Sequence, residues 1–310
     1  MDNKQLRVLF SSDDNYAQHL GAAIYSLAAH NSGFEEIQIY VIDNEISAAS
    51  KEKLESVSSQ FPNSQIIWLP FAAWKAKLNL NMAWNISVSA YARLFLAEIL
   101  PEEVDRILYM DCDMIVCDSL MTLWNVELQG KVLGAVQDDI GDSTKAAVGI
   151  LPQEPYFNSG LLLVDLTEWR AQNIGEACLD FIRKHEGNVI HHDQGVLNGV
   201  LKDNWYRLPV GCNLMTIHYI FNLDQVSRYF GDHSVFYTAE EIEGAKQKPV
   251  VLHYTPSFTS RPWVKGCAHP AVQKYWDAVR NTPWRDAKPE ADHAKWYVKL
   301  INWRYRNLPY

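Results

Sequence analysis

Two aspartates spaced i, i+2 interrupt an apolar run in the middle of the chain. Residues 106–116 read RILYMDCDMIV, a pattern typical of a buried central strand. An ionised carboxylate inside such a strand is costly unless it is paired or binds a metal ion. Where the strand ends and the chain bends, the oxygens of Asp111 and Asp113 can converge on one cation. A divalent cation held by two carboxylates is the usual companion of a diphosphate.

The first half of the chain alternates strand and helix patterns, which predicts a parallel sheet with right-handed crossovers. In such sheets ligands bind beyond the carboxyl ends of the strands, where Asp13 and the aspartate pair both fall. The predicted strands cover residues 6–11, 37–42 and 65–69, and the predicted helices cover residues 16–29, 47–61 and 90–99.

The second half is less regular. Residues 141–155 lack periodicity, which predicts a mobile loop, and residues 156–160 read as a turn before a buried strand. A late strand ends in His253. The other predicted elements are strands at 132–137 and 161–164 and helices at 167–185 and 192–201.

Length and composition indicate a soluble globular protein with one large α/β domain, alone or with an appendage. The chain has 310 residues, of which 48% are apolar and 21% charged. Five cysteines without zinc-type spacing indicate reduced thiols in the cytosol. We find no secretory leader, and no apolar run near the roughly 20 residues that span a bilayer. A net charge of −9 argues against general nucleic-acid binding.

Six ordered blocks resemble glycosyltransferase family 8, which includes bacterial lipooligosaccharide galactosyl- and glucosyltransferases and glycogenin. The resemblance covers roughly residues 6–265, and six blocks are far more specific than one DxD tripeptide. It implies the nucleotide-diphosphosugar transferase (GT-A) fold, a Rossmann-like mixed sheet flanked by helices. The blocks are FSSDDNY (10–16), SAYARL (89–94), LYMDCD (108–113), YFNSG (156–160), DQGVLNG (193–199) and HY (253–254) with the later PW (262–263).

The resemblance implies a metal-dependent hexosyltransferase that retains anomeric configuration. Glucose or galactose would pass from a UDP-sugar to a hydroxyl of a saccharide acceptor, such as lipopolysaccharide or another cell-surface glycan. Asp111, Asp113 and His253 would bind the cation, and this ligand set suits Mn²⁺, with Mg²⁺ as the alternative. A protein-glycan-extending glucosyltransferase of the same family and a DxD phosphatase are the alternative functions.

The resemblance also assigns residues to the donor. Asp13 and Asn15 match positions that hold uracil and ribose, although both could simply cap the first helix. Arg93 matches an arginine near the donor sugar, with a structural pairing to a core carboxylate as the alternative. Ile86 and Ser87 match a segment that lines the nucleotide pocket. The other donor-binding positions are Ser11, Cys112, Asp138, Asn158, Ser159 and Arg261; a surface turn is the alternative for Asp138 and a plain turn for Asn158.

Two residues match the family's catalytic positions. Asp193 would hold donor hydroxyls and Gln194 would lie beneath the anomeric carbon, although both could simply cap a helix. A double-displacement mechanism would place a carboxylate nucleophile there. Because Gln194 is an amide and a poor nucleophile, we favour front-face substitution assisted by the departing phosphate.

The last part of the resemblance departs from the family pattern. The family's closing motif is His-x-x-Gly-x-x-Lys-Pro-Trp, whereas this chain has two extra residues between His253 and Trp263, Pro256 at the glycine position and Arg261 in place of lysine. Arginine can still bind a diphosphate, in a bidentate manner.

The chain ends in a basic, aromatic tail. Residues 294–310 contain four lysines and arginines, no acid, and several tryptophans and tyrosines. This composition is typical of a segment on anionic lipid and fits a lipid-linked acceptor at the inner face of the cell membrane. A terminal helix packed on the domain is the alternative. We therefore predict a cytoplasmic, peripherally bound enzyme with a GT-A domain at 1–265 and a helical extension at 266–310.

Overall fold

The computed structural model describes residues 4–71, 91–231, 237–256 and 258–307. Its first half is a β-α-β-α-β unit of strands β1 (Gln5–Ser12), β2 (Glu36–Asp43) and β3 (Ser64–Pro70) with helices α1 (Ala17–Ala29) and α2 (Ala48–Ser58). The three strands are parallel, as the alternation of patterns predicted. The predicted bounds of these strands are confirmed to within one residue at each end.

The central sheet of the described chain has seven strands in the order β3-β2-β1-β4-β7-β6-β8. β4 (Arg106–Met110) runs parallel to β1, whereas β7 (Phe157–Asp165) runs antiparallel to both β4 and β6. The sheet is therefore mixed, as expected. The remaining strands of this sheet are β6 (Leu133–Gln137) and β8 (Trp205–Arg207).

Both faces of the sheet are covered. Leu108 and Met110 of β4 pack into the core that includes α1, whereas Ile107 and Tyr109 pack into the core on the opposite face. Since successive strand side chains point to opposite faces, a strand between two helical layers has to be apolar throughout. This explains the unbroken apolar run of β4.

The predicted continuous strand over 106–116 is wrong. β4 ends at Met110, and β5 (Met114–Val116) belongs to a second, three-stranded sheet. There β10 (Val251–His253) lies between β5 and β9 (Leu214–Met215). The three residues from Asp111 to Asp113 connect the two sheets. The break removes both carboxylates from the strand interior, where they would have been buried among apolar side chains.

Three other predictions for local structure are also corrected. Residues 141–155 contain a helix, and the buried Lys145 ties the segment together because its Nζ donates to the backbone carbonyl oxygen of Pro152 at 2.9 Å. The predicted turn at 156–160 lies inside β7 from Phe157 onward. The single helix predicted for 167–185 is two helices, since Asn173 adopts a left-handed backbone with φ of 51°.

The helix predicted for 90–99 is in its described part a 3₁₀ helix (Ala92–Phe95) followed by one α-helical turn. The other helices are α3 (Leu96–Ile99), α4 (Met121–Trp124), α5 (Asp142–Ala147), α6 (Leu166–Ala171), α7 (Ile174–Lys184), α8 (His192–Leu201), α9 (Thr216–Ile220), α10 (Leu223–Phe230), α11 (Ala239–Gln247), α12 (Val272–Arg280) and α13 (Trp296–Asn307).

The C-terminal part contains one helix that packs on the domain and one that is exposed. α12 packs against α1, and the Trp284 ring lies against Gly21, where an added Cβ would come within 2.7 Å of the ring. On α13, Trp296 is 75% exposed and Trp303 50%. No helix within the described ranges is long and apolar enough to cross a membrane. The domain boundary at residue 265 stays a prediction.

Candidate active site

Three side chains with metal-binding atoms meet where the two sheets join. Asp111 follows β4, and its backbone N–H donates to Gly160 O at 2.8 Å. Asp113 precedes β5, and its carbonyl oxygen accepts from Tyr254 N–H at 3.1 Å, next to His253 at the end of β10. One ligand atom from each of Asp111, Asp113 and His253 lies within 4.8 Å of the others. The structure thus brings together residues that are about 140 positions apart in sequence.

The chemistry of these atoms fits a divalent cation. Burial lowers the pKa of His253 to about 4, so the imidazole is neutral at physiological pH and its nitrogen can coordinate. Its Nε2 lies 3.3 Å from Asp113 Oδ1, which is buried and accepts no hydrogen bond from the described chain. A Cβ at Gly160 would come within 2.5 Å of His253 Cε1 and 2.9 Å of Asp111 Oδ2, so only glycine leaves this space open.

Arg93 joins the two aspartates on either side of this space. Its guanidinium lies 2.8 Å from Asp111 Oδ1 and 3.0 Å from Asp193 Oδ2, and it donates to Ser159 O at 2.7 Å. Burial would lower the pKa of Arg93, but the carboxylates of Asp111 and Asp193 raise it above its ordinary value. Arg93 also lies over the Tyr109 ring, 4.4 Å from the centroid. The arginine is therefore permanently charged and held in one orientation.

Amide side chains form the next part of the site. Gln194 Oε1 accepts from the backbone N–H of Ser159 at 3.1 Å, and Gln194 Nε2 donates to Asp138 Oδ2 at 3.0 Å. Asn158 Nδ2 donates to the same Asp138 oxygen at 3.1 Å. Burial raises the pKa of Asp138, and it also raises that of Asp193, whose Oδ2 accepts from Ser159 Oγ at 3.1 Å. These contacts fix the amide plane of Gln194.

A cleft of about 330 Å³ opens beside Arg93 and the aspartate pair. Arg261 reaches across it to form an ion pair with Asp113 Oδ2 and donates to Tyr254 O at 2.9 Å. Burial raises the pKa of Cys112 to about 12, so its thiol is protonated. The residues that line the cleft are Ser11, Ser12, Asp13, Tyr16, Arg93, Tyr109, Asp111, Cys112, Asp113 and Arg261.

The chain matches the family model described as Glycosyl transferase family 8 over residues 7–267. The protein belongs to glycosyl transferase family 8. It is therefore a transferase, and the resemblance carried by the six sequence blocks is confirmed.

Relatives of this family-8 chain match it over most of its length. General stress protein A of Bacillus subtilis (strain 168) is 27% identical over 286 residues, which cover 90% of this chain and 94% of that protein. Lipopolysaccharide 1,2-glucosyltransferase of Escherichia coli (strain K12) is 25% identical over 306 residues, which cover 98% and 85%. The crystal structure of galactosyltransferase LgtC with donor and acceptor sugar analogs gives a TM-score of 0.71 at 27% identity and covers 91% of this chain and 99% of LgtC. The expected GT-A fold is thereby confirmed.

Most of the residues assigned by sequence lie around this family-8 cleft. Asn15 is exposed and is not among the residues that line it. Asp13 accepts from Tyr16 N–H at 3.2 Å, so the capping contact considered for it is present while its side chain still faces the cleft. Ile86 and Ser87 lie outside the described residues. The functional roles of all these residues remain predictions.

Sequence reasoning missed four residues at the site. Ser12, Tyr16 and Tyr109 line the cleft, and the side-chain oxygen of Asn213 lies 3.0 Å from His253 Nδ1. Tyr109 lies one position before Met110 in a strand pattern that only indicated burial. Asn213 follows no strand or helix period and no motif, so the sequence contains no signal that marks it.

The site has two groups of residues. The floor is the group whose side chains contact one another most, and the rim is the group on the open side of the cleft. The floor comprises Arg93, Asp111, Asp113, Asn158, Asp193, Gln194 and His253. The rim comprises Ser11, Asp13, Tyr16 and Arg261.

Proposed function

We propose that this family-8 transferase moves glucose or galactose from a UDP-sugar to a hydroxyl of a saccharide acceptor, with retention of anomeric configuration. One observation carries the proposal: Asp111, Asp113 and His253 converge beside a cleft that also contains two arginines. The relatives support a hexose and a glycan acceptor, since one is named as a glucosyltransferase of lipopolysaccharide and LgtC as a galactosyltransferase.

In this proposal Asp111, Asp113 and His253 hold Mn²⁺, with Mg²⁺ as the alternative. Two carboxylates and one neutral imidazole suit Mn²⁺ better than they suit Mg²⁺, which prefers oxygen ligands. The bound cation would supply Lewis-acid stabilisation of the charge that develops on the departing diphosphate.

The chain's own residues would hold the rest of the donor. Arg261 on the loop after β10 can exchange its contact with Asp113 for the diphosphate, which an arginine can bind through two parallel hydrogen bonds. Asp13, at the carboxyl end of β1, offers acceptor oxygens to the uridine, and Ser11 also lines the cleft. The Arg93 and Asp193 pair would hold donor hydroxyls at the floor.

With retention proposed from the family, the two residues assigned to the donor sugar argue against a double displacement. The oxygen Oδ2 of Asp193 is already engaged by Arg93 and Ser159, and burial limits its access. Gln194 is an amide, which is a poor nucleophile. We therefore infer a front-face substitution in which Gln194 Oε1 stabilises the oxocarbenium-like state and the departing phosphate takes the proton of the acceptor hydroxyl.

A lipid-linked acceptor is supported by the exposed helix α13. Trp296, Leu300 and Trp303 are each at least half exposed, and Lys295 and Lys299 lie on the same short segment. Aromatic and basic side chains together favour the interface of an anionic bilayer. Flotation of the full chain with anionic liposomes should exceed that of a chain ending at Asp292, and equal flotation would remove this part of the proposal.

The main experiment is turnover of UDP-sugars without an acceptor. We expect slow release of UDP from UDP-glucose or UDP-galactose with Mn²⁺ and none after chelation. A generic phosphomonoester should not be hydrolysed. With an acceptor, proton NMR of the product should show the anomeric configuration of the donor. An inverted product, or a glycosyl adduct trapped on Asp193 or Gln194, would contradict the mechanism.

A further inference from the structure

Asn213 connects the cation ligand His253 to the amide side chains of the floor. It is fully buried at the end of a 3₁₀ helix (Val210–Asn213). Its Oδ1 lies 3.0 Å from His253 Nδ1, and its Nδ2 donates to Asn158 Oδ1 at 2.9 Å. Both ends of the Asn213 amide are therefore engaged, and neither is available to a ligand.

The backbone N–H of Gly160 determines the direction of the hydrogen bonds that link Asn158, Asn213 and His253. The N–H of Gly160 is a donor only, and it lies 3.0 Å from Asn158 Oδ1. The group of Asn158 at that end must be its oxygen, so the group of Asn213 that faces it must be its NH₂. The oxygen of Asn213 then faces His253, and Nδ1 of the imidazole must carry the proton. The neutral ring consequently has an unprotonated Nε2.

We propose that Asn213 is a positioning residue that holds His253 in its Nδ1-protonated form, with the Nε2 lone pair directed at the cation. The proposal rests on the cation site of the proposed function. Because a histidine that binds a metal ion usually donates its other N–H to a fixed acceptor, Asn213 would supply that acceptor here. The same relay links the cation ligand to Asn158 and thus to Gln194, since Asn158 Nδ2 also lies 3.3 Å from Gln194 Oε1.

The unprotonated Nε2 lies beside a carboxylate oxygen. Asp113 Oδ1 lies 3.3 Å from His253 Nε2, and it accepts no hydrogen bond in the described chain. Two lone pairs that face each other in a buried space are stabilised by a cation between them.

The tautomer can be read directly in the cation-free protein. Long-range proton–nitrogen NMR of ¹⁵N-histidine-labelled protein at neutral pH should show His253 with a protonated Nδ1 and an unprotonated Nε2, assigned by comparison with His253→Gln. Asn213→Ala should give a mixture of tautomers and bind Mn²⁺ about tenfold more weakly by calorimetry. Asn213→Asp keeps an oxygen for Nδ1–H but has no donor for Asn158 Oδ1, so it should retain the tautomer and bind Mn²⁺ more tightly than Asn213→Ala.

Asn31→Ala is the matched control. Asn31 is as fully buried as Asn213, and it also uses both ends of its amide, but its partners are Leu27 O and Leu120 N–H. This variant should lose stability without a change in the tautomer of His253 or in Mn²⁺ affinity. A protonated Nε2 in the wild-type protein would overturn the proposal, as would Asn213→Asp weakening Mn²⁺ binding as much as Asn213→Ala. Neither measurement uses a sugar donor, so an error in the proposed donor would leave these results unchanged.

Discussion

The floor and the rim of the cleft are built in different ways. At the floor, the Arg93 side chain is 8% exposed and contacts two carboxylates, a carbonyl and an aromatic ring. At the rim, Tyr16 is 40% exposed. Because floor residues share several partners, a change at one of them leaves another charge or dipole unpaired. A rim residue shares fewer contacts, and only the ion pair of Arg261 with Asp113 reaches a buried carboxylate of the floor.

The largest effect is expected at the proposed cation ligands. Asp113→Asn should lower kcat/KM for UDP release on the order of 10³-fold, which corresponds to about 4 kcal/mol, because the site loses one negative ligand. Initial rates with saturating Mn²⁺ measure this. Asp118→Asn is the control, since Asp118 is a carboxylate nearby in sequence whose partner is the exposed Lys248. Equal loss in both variants would show that general stability, rather than the ligand, is responsible.

Removal of the floor arginine should lower the free energy of unfolding, a change that activity assays do not measure. Arg93→Met leaves Asp111 and Asp193 without their counter-ion, and we expect a loss of about 3 kcal/mol in the free energy of unfolding. Urea unfolding measures this. Arg106→Met, which removes bonds to the carbonyl oxygens of Trp124 and Val126, should cost about 1 kcal/mol. Similar losses in the free energy of unfolding for the two variants would contradict the distinction between the floor and positions elsewhere in the fold.

The pH dependence of stability tests His19, a buried residue near the cleft. His19 stacks on Trp263 with ring centroids 3.7 Å apart, and burial lowers its pKa to about 3. The unfolded chain takes up a proton near pH 6.5, whereas the folded chain does not, so this contribution to stability is present above pH 6.5 and is lost as the pH falls. At pH 5 the loss from this one histidine is about 2 kcal/mol.

His19→Gln should reduce the loss of unfolding free energy between pH 8 and pH 5 by that amount, whatever its effect at pH 8. Urea unfolding at both pH values gives the difference. Buried acids such as Asp193, whose pKa is raised, act in the opposite direction, and the comparison with wild type cancels them. An unchanged pH dependence in the variant would show that His19 takes up its proton in the folded state.

The smallest effect is expected at the rim. Arg261→Ala should raise KM for the UDP-sugar about tenfold, or about 1.4 kcal/mol, with little change in kcat, because the proposed diphosphate contact is made by a single partly exposed side chain. Steady-state kinetics separate the two constants. Arg261→Lys should recover part of the affinity through its charge. A fall in kcat as large as that of Asp113→Asn would place Arg261 functionally with the floor.

The regular β-α-β-α-β unit was predictable, whereas the breaks between later elements were not. Alternating patterns locate β1 to β3 because each strand there is followed by a helix or a clear change of period. The break after Met110 leaves no trace in the pattern, since apolar residues continue on both sides of Asp111 and Asp113. The helix Asp142–Ala147 was also missed, because a tertiary contact stabilises it: Lys145 Nζ donates to the backbone carbonyl oxygen of Pro152 at 2.9 Å.

The candidate site shows the same division. The six blocks indicate residues whose type is tied to chemistry, such as the aspartate pair and His253. Asn213 belongs to none of them, since its importance comes from two distances that only the folded chain defines. Its side-chain type alone is common in turns and caps, so a local pattern assigns it no special role.

A single methyl group added at Gly160 would disturb the candidate site. The glycine Cα lies beside both Asp111 and His253, and a methyl group there would occupy the space between them. The strand β7 would keep its ladder of hydrogen bonds, because alanine has the same backbone groups. We therefore expect glycine to alanine at this position to displace His253 or Asp111 and to weaken cation binding, while the pairing of β7 with its neighbours is kept.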